Sequence, residues 1–143
     1  MKKRVLIISA SPQRGGNSDY LCEEFMRGAQ ESGHEVDKLF FHDLNIHYCR
    51  GCGVCNDTKK CVQKDDMSGV LDKMVDADVL VFGTPVYFYT MDAQLKTLID
   101  RTVPRYTELK GEAYLIATLA DKDRDSIAGT VAAFRGFMGC LDN

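Results

Sequence analysis

The chain has 143 residues, 45% hydrophobic and 27% charged, with a formal net charge of −3. That length and composition suit one globular domain over 1–143, and an acidic balance without a basic stripe excludes a nucleic-acid binder that works by neutralising phosphates. No apolar stretch reaches the ~20 residues of a membrane helix, and Val5 to Ile8, behind Met1-Lys2-Lys3-Arg4, is too short for an export signal, so a cytoplasmic protein with no membrane partner is expected.

Lys3 to Ala10 reads as a buried strand, because Val5, Leu6, Ile7 and Ile8 run without a polar break, as in parallel sheets. Ser11 to Ser18 is a loop of Ser, Pro, Gly and Asn. Leu21, Cys22, Phe25, Met26 and Ala29 then recur at helical spacing, with Ser18 as the expected N-cap and Gly33 as the stop. His34 to Phe41 is a second, more polar strand that fits a place near the sheet edge. The stretch 42–65 has no clear period, and a loop that long is usually functional or disordered; its four cysteines favour function.

A helix resumes at Asp65 or Asp66, marked by Met67, Val70, Leu71, Met74 and Val75. Asp78 to Gly83 is a third strand and Thr84 to Thr90 a loop with three aromatics. Ala93, Leu95, Leu98 and Ile99 line the next helix. Ala113 to Leu119 is a fourth strand, and Ser126 to Met138 a last helix with Ile127, Val131, Phe134 and Met138 inward. Strict alternation of strand and helix demands an α/β open parallel sheet with right-handed crossovers and helices on both faces.

Two loops carry binding chemistry. Ser9 to Ser18 joins the first strand to the first helix, whose amides and dipole make an anion site. Hydroxyls at Ser9, Ser11 and Ser18, the Asn17 amide and at most one arginine, Arg14, suit a monophosphate. The lysine of a triphosphatase loop and the glycine triad of a dinucleotide loop are both missing. An ordinary polar turn would look similar taken alone. Gly83-Thr84-Pro85-Val86-Tyr87-Phe88-Tyr89-Thr90 follows the third strand, where ligands of open sheets sit; its aromatics and backbone groups could stack on a flat heterocycle, or serve core or interface.

Together the two loops resemble the flavodoxin-like, NADPH-dependent FMN reductase family over essentially the whole chain. Ser11-Pro12-x-x-Gly-Gly-Asn17-Ser18 resembles its phosphate loop, and Gly83-Thr84-Pro85-Val86-Tyr87 its isoalloxazine loop, with Lys96 and Asp100-Arg101 on the helix behind. The resemblance implies FMN as cofactor, its phosphate on Ser9, Ser11, Asn17 and Ser18, and its ring against Thr84, Pro85, Val86, Tyr87 and Phe88. The family's arginine position after Ser-Pro is Gln13 here, with Arg14 next. The family's sheet has five strands where four are evident in this chain, so the sheet is four-stranded, the chain is truncated, or a partner completes it.

Cys49-x2-Cys52-x2-Cys55-x5-Cys61 packs four of six cysteines into one loop. In a reducing compartment such crowding points to metal or redox chemistry. The motif resembles that of the iron–sulfur flavoprotein branch of the same family, through Lys64-Asp65-Asp66-Met67, and implies a [4Fe–4S] cluster on Cys49, Cys52, Cys55 and Cys61. Structural zinc and free thiols stay open beside it. Cys22 and Cys140 read as core. His42 and His47 flank the loop as possible ligands or surface residues, and the charged run 121–125 either rims the flavin or is solvated.

No nucleophile–base pair is evident, so the cofactor must carry the chemistry. The reading is an FMN-dependent oxidoreductase passing electrons from NAD(P)H or a ferredoxin-type donor to a small acceptor such as a quinone, an azo or nitro compound, or oxygen. Any nicotinamide would stack near Tyr87 and Phe88. The alternatives are a flavodoxin-like electron carrier and a zinc-stabilised interaction module. A homo-oligomer is expected, with a second copy completing the flavin site.

Overall fold

The computed structural model describes residues 1–141. Strand β1 (Arg4–Ser9) leads to helix α1 (Asn17–Glu31) and edge strand β2 (Glu35–Phe40). A short helix α2 (Val54–Thr58) lies inside the cysteine loop, followed by α3 (Met67–Asp76) and β3 (Val79–Tyr87). The two-residue β4 (Thr90–Met91), α4 (Ala93–Asp100), β5 (Glu112–Thr118) and α5 (Ala128–Gly139) complete the order. β1 pairs in parallel with β2 and β3, and β3 with β5, giving the spatial order β2-β1-β3-β5; β4 folds back antiparallel on the end of β3. The flavodoxin-like parallel sheet and the edge place of the second strand are as the sequence indicates. The fifth strand found here is the two-residue β4, an addition at the tip of β3.

Alternation along the strands builds two cores. Val5, Ile7, Val79 and Val81 face α1, where Cys22, Phe25 and Met26 close over them. Leu6, Ile8, Leu80 and Phe82 face the opposite way, onto α3, α4 and α5 through Met67, Val70, Leu71, Met74, Leu95, Leu98 and Phe134. Both faces of β1 and β3 are therefore apolar, which is why these strands read as unbroken hydrophobic runs. The inward side of β5 is only half-buried.

Several boundaries differ from expectation, each for a physical reason. Gly16, in extended conformation, precedes α1, so Ser18 lies in the helix's first turn rather than at its cap. The segment 84–90 is not a plain loop. β3 runs on to Tyr87, because Thr84 and Pro85 still pair with β5 and Val86 and Tyr87 with β4. The last helix begins after a short 3-10 turn at Arg124–Ile127, capped by Asp123. Cys22 is buried as expected, whereas Cys140 is exposed, not core. Among the described residues, no helix is long and apolar enough to cross a membrane.

Candidate functional site

The carboxyl ends of β1 and β3 meet at the point where chain order reverses across the sheet, and the Ala10 amide donates to the Gly83 carbonyl at 2.8 Å, tying the two loops together. Crevices of this kind are where open α/β sheets bind ligands. The approach is close. A Cβ on Gly83 would stand 2.3 Å from the Cys22 Sγ, so only glycine lets β3 pass under α1 there.

In the first loop, Ser9 is fully buried and its hydroxyl has no partner among the described residues. No side chain caps α1, leaving the amides of Asn17, Ser18 and Asp19 for a ligand or solvent. Ser11 and Ser18 are buried and Asn17 is exposed. The Ser11 hydroxyl shapes the turn, donating to the Gln13 carbonyl at 3.0 Å and accepting from the Gln13 amide at 3.1 Å. An orphaned hydroxyl beside uncapped helix amides fits an anion. Arg14 is engaged elsewhere: it pairs with Asp43 and lies 4.2 Å over the Phe40 ring.

Asp19 was not singled out from the sequence. Its carboxylate accepts from the Gly15 amide at 2.8 Å and from Lys38 Nζ at 2.7 Å. Burial pushes its pKa up, but Lys38 and the Gly15 amide outweigh this and hold it below the ordinary value. The acidic residue thus braces the loop from within, neutralised by Lys38. Its place in the first turn of an amphipathic helix was the available signal.

In the second loop Thr84 is buried, Pro85 and Val86 are half-buried, and Tyr87, Phe88 and Tyr89 are exposed, Phe88 by 98%. Phe88 and Tyr89 form the two-residue turn with φ of 47° and 66°. Asp92 holds the loop from below. Its amide donates to Thr84 Oγ1 at 3.1 Å, and its Oδ1 accepts from the Leu95 amide at 3.0 Å, capping α4. Oδ2 is buried without a partner among the described residues, and burial pushes this carboxyl up to about 6. An Asp directly ahead of a periodic apolar run is an N-cap signal that was legible but unused.

The cysteine loop lies on the α4 side. Cys49, Cys52, Cys55 and Cys61 all line one cavity of about 310 Å³ with Arg50, Arg101, Val103 and Pro104. Burial raises the Cys55 thiol's pKa, and Cys61, Cys52 and Cys49 push the same way. The Gly51 amide already points at Cys49 Sγ, 3.4 Å away. Among the described residues, no group of three or more His, Cys, Asp or Glu is gathered to hold a metal ion. The thiols share a cavity but not ligand distance. Four thiols with a turned amide are nonetheless the donor chemistry of an iron–sulfur site.

Arg101 anchors that cavity. Its Nη1 donates to the His47 carbonyl at 2.6 Å and to Asp65 Oδ2 at 2.7 Å, and its Nη2 to Asp65 Oδ1 at 2.9 Å. Asp65 also accepts from the His47 and Met67 amides. Burial pushes Asp65 up, but the Arg101 bonds and both amides together bring it down to about 2. His47 therefore contributes backbone rather than its ring, and the His42 ring packs edge-on near Phe40. In the run 121–125, Asp121 and Asp123 build turns, accepting from Ser126 and from the Asp125 amide.

A family model for NADPH-dependent FMN reductases matches residues 3–138. An iron–sulfur flavoprotein of Methanocaldococcus jannaschii is 39% identical over 101 residues, 71% of this chain and 52% of that protein. One from Archaeoglobus fulgidus is 36% identical over 97 residues, 68% of this chain and 44% of that protein. The chain thus spans about half the length of these curated relatives. Among solved structures, an azoreductase from Bacillus anthracis superposes with a TM-score of 0.76 at 19% identity, covering 100% of this chain and 84% of the other, a likeness of fold.

Proposed function

The chain belongs to the NADPH-dependent FMN reductase family, and on that footing we propose that it is an FMN-dependent oxidoreductase whose cysteine loop holds a [4Fe–4S] cluster. The observation that carries the flavin reading is the junction of the two loops by Ala10 and Gly83, with the orphaned Ser9 hydroxyl and the uncapped α1 amides on one side of it. Ser9, Ser11, Asn17 and Ser18 bind the phosphate, and Thr84, Pro85, Val86, Tyr87 and Phe88 line the ring. Arg14 contributes indirectly, by fixing Phe40 and Asp43 beside the loop.

When bound, FMN supplies the hydride and single-electron chemistry, and the cluster single electrons. The chain's residues position these groups. Lys38 and Asp19 stiffen the phosphate loop, and Asp92 fixes Thr84, which would line the ring. Tyr87 and Phe88, both exposed, would line the ring, and a nicotinamide or a flat acceptor would stack near them. Cys49, Cys52, Cys55 and Cys61 hold the cluster, the loop drawing in around it. A small quinone, azo or nitro compound, or oxygen, is the acceptor, and NAD(P)H or a ferredoxin-type protein the donor. A second copy covers the exposed aromatics and completes the flavin site.

Anaerobic purification with FMN, iron and acid-labile sulfide measured per chain tests both cofactors. Stoichiometric FMN with about four irons supports the full reading. FMN with fewer than about three irons removes the cluster and leaves a plain flavin reductase; no FMN removes the assignment altogether. The carrier reading differs in one observable: a carrier is reduced by a protein donor but turns over no small acceptor.

A further inference from the structure

The cavity that gathers the four thiols contains a donor that nothing in it satisfies. Arg101 is 1% exposed, yet its Nε is buried without a partner among the described residues. Nη1 donates to both Asp65 and the His47 carbonyl, and Nη2 donates to Asp65, so each of these two nitrogens has a partner. A buried donor left unpaired carries its desolvation cost uncompensated, and such groups in a native fold call for an explanation. Cys61 lies beside the guanidinium, and both line the cavity. The bidentate Asp65 contact fixes the plane of the fork, so Nε–H has one direction left to point.

We propose that Arg101 is a positioning residue of the cysteine site, its Nε–H donating to the Cys61 thiolate once the cluster is in place. This rests on the cluster reading above. A hydrogen bond to a ligand sulfur stabilises the reduced, more negative cluster over the oxidised one, and so raises its potential. The fixed positive charge acts in the same sense. Asp65 offsets part of that charge and, through its bonds to the His47 and Met67 amides, joins both ends of the cysteine loop to the end of α4.

The test compares wild-type protein with R101K after anaerobic reconstitution with iron and sulfide. Lysine keeps the charge but not the fork or the Nε donor. Equal iron in both, with the R101K cluster titrating at a more negative potential, is the expected result. Equal potentials at full loading overturn the proposal while leaving the cluster standing. Fewer than about three irons in the wild type overturns the cluster reading itself, and the proposal with it. Should R101K not fold, wild-type protein labelled with 15N-arginine decides the matter. The reduced cluster should show an arginine 15N coupling by pulsed electron spin resonance, and R50K should keep it. Its absence from the wild type, or its loss in R50K, overturns the assignment.

Discussion

Asp92 and Arg101 cap opposite ends of one helix, and each holds a different loop of the site. Asp92 precedes α4 and ties it to Thr84; Arg101 follows α4 and ties it to Asp65 and His47. Eight residues at about 1.5 Å each make the helix about 12 Å long. The loop after β3 and the cysteine loop are thus fixed to one short helix. The buried face of Leu95 and Leu98 seats that helix on the core.

The Asp92 end is sensitive to pH. Its folded value of about 6 stands above the ordinary 3.8, so the folded state binds the proton more tightly than the unfolded one. Stability from this group is full below about pH 4, falls as pH rises through 6, and stays low above. D92N keeps the cap and removes the buried charge. It should raise the melting temperature at pH 7.5, by no more than about 3 kcal/mol in stability, with the gain vanishing near pH 4. D92A, which removes the same charge but also the cap, should be less stable than D92N by about 1 kcal/mol at either pH. Thermal unfolding at several pH values checks both, and a D92N gain equal at pH 4 and 7.5 contradicts the linkage.

The Arg101 end has the opposite sign. Asp65 is held at about 2, below the ordinary 3.8, so its contribution is present above about pH 4 and is lost as pH falls toward 2. R101A strands a buried carboxylate and should cost about 3–5 kcal/mol at neutral pH. D65N/R101M, which removes both charges, should recover much of that loss. Urea unfolding of wild type, R101A, D65N, R101M and D65N/R101M measures the loss and the coupling; additive single and double effects would mean the pair is not coupled.

Gly83 provides a steric test of the junction. G83A puts a methyl group 2.3 Å from Cys22 Sγ and should destabilise by about 1–3 kcal/mol. C22A removes the sulfur and makes a small void. The double variant C22A/G83A should be more stable than G83A alone, because the new methyl group takes the vacated space. Chemical denaturation of the four proteins closes the cycle, and full additivity would show that the two residues do not collide.

Much of this architecture is written in local pattern. The runs Val5–Ile8 and Val79–Phe82 announce the two central strands because both of their faces are buried. The Ser/Gly/Asn loop and the cysteine spacing stand out because glycine and thiol chemistry is local. What escaped the sequence is tertiary. Nothing within ten residues of Arg101 shows that its guanidinium meets Asp65, and Lys38 reaches Asp19 only because β2 lies beside β1 and under α1. Asp92 was missed for a different reason: it sits next to a loop with stronger signals. The β4 hairpin was hidden because its turn residues are aromatic, where the usual signal is Asn-Gly.

That turn leads to the final prediction. Phe88 and Tyr89 both take positive φ, a conformation that costs roughly 1–2 kcal/mol for each ordinary side chain. The turn is also pinned from behind, since a Cβ on Gly129 of α5 would stand 2.2 Å from the Tyr89 carbonyl oxygen. Strain kept in place by surrounding structure, under a nearly naked Phe88 ring, points to a use for the ring. F88N/Y89G supplies the residues the turn prefers and should raise stability by about 1–3 kcal/mol. It should also weaken FMN binding and self-association together, since the proposed function assigns the same aromatics to both. Melting temperature, FMN titration and light scattering at micromolar concentration read the three effects. A variant that is more stable, binds FMN as tightly as wild type and associates equally well would show that the aromatic tip serves neither the flavin nor a second copy.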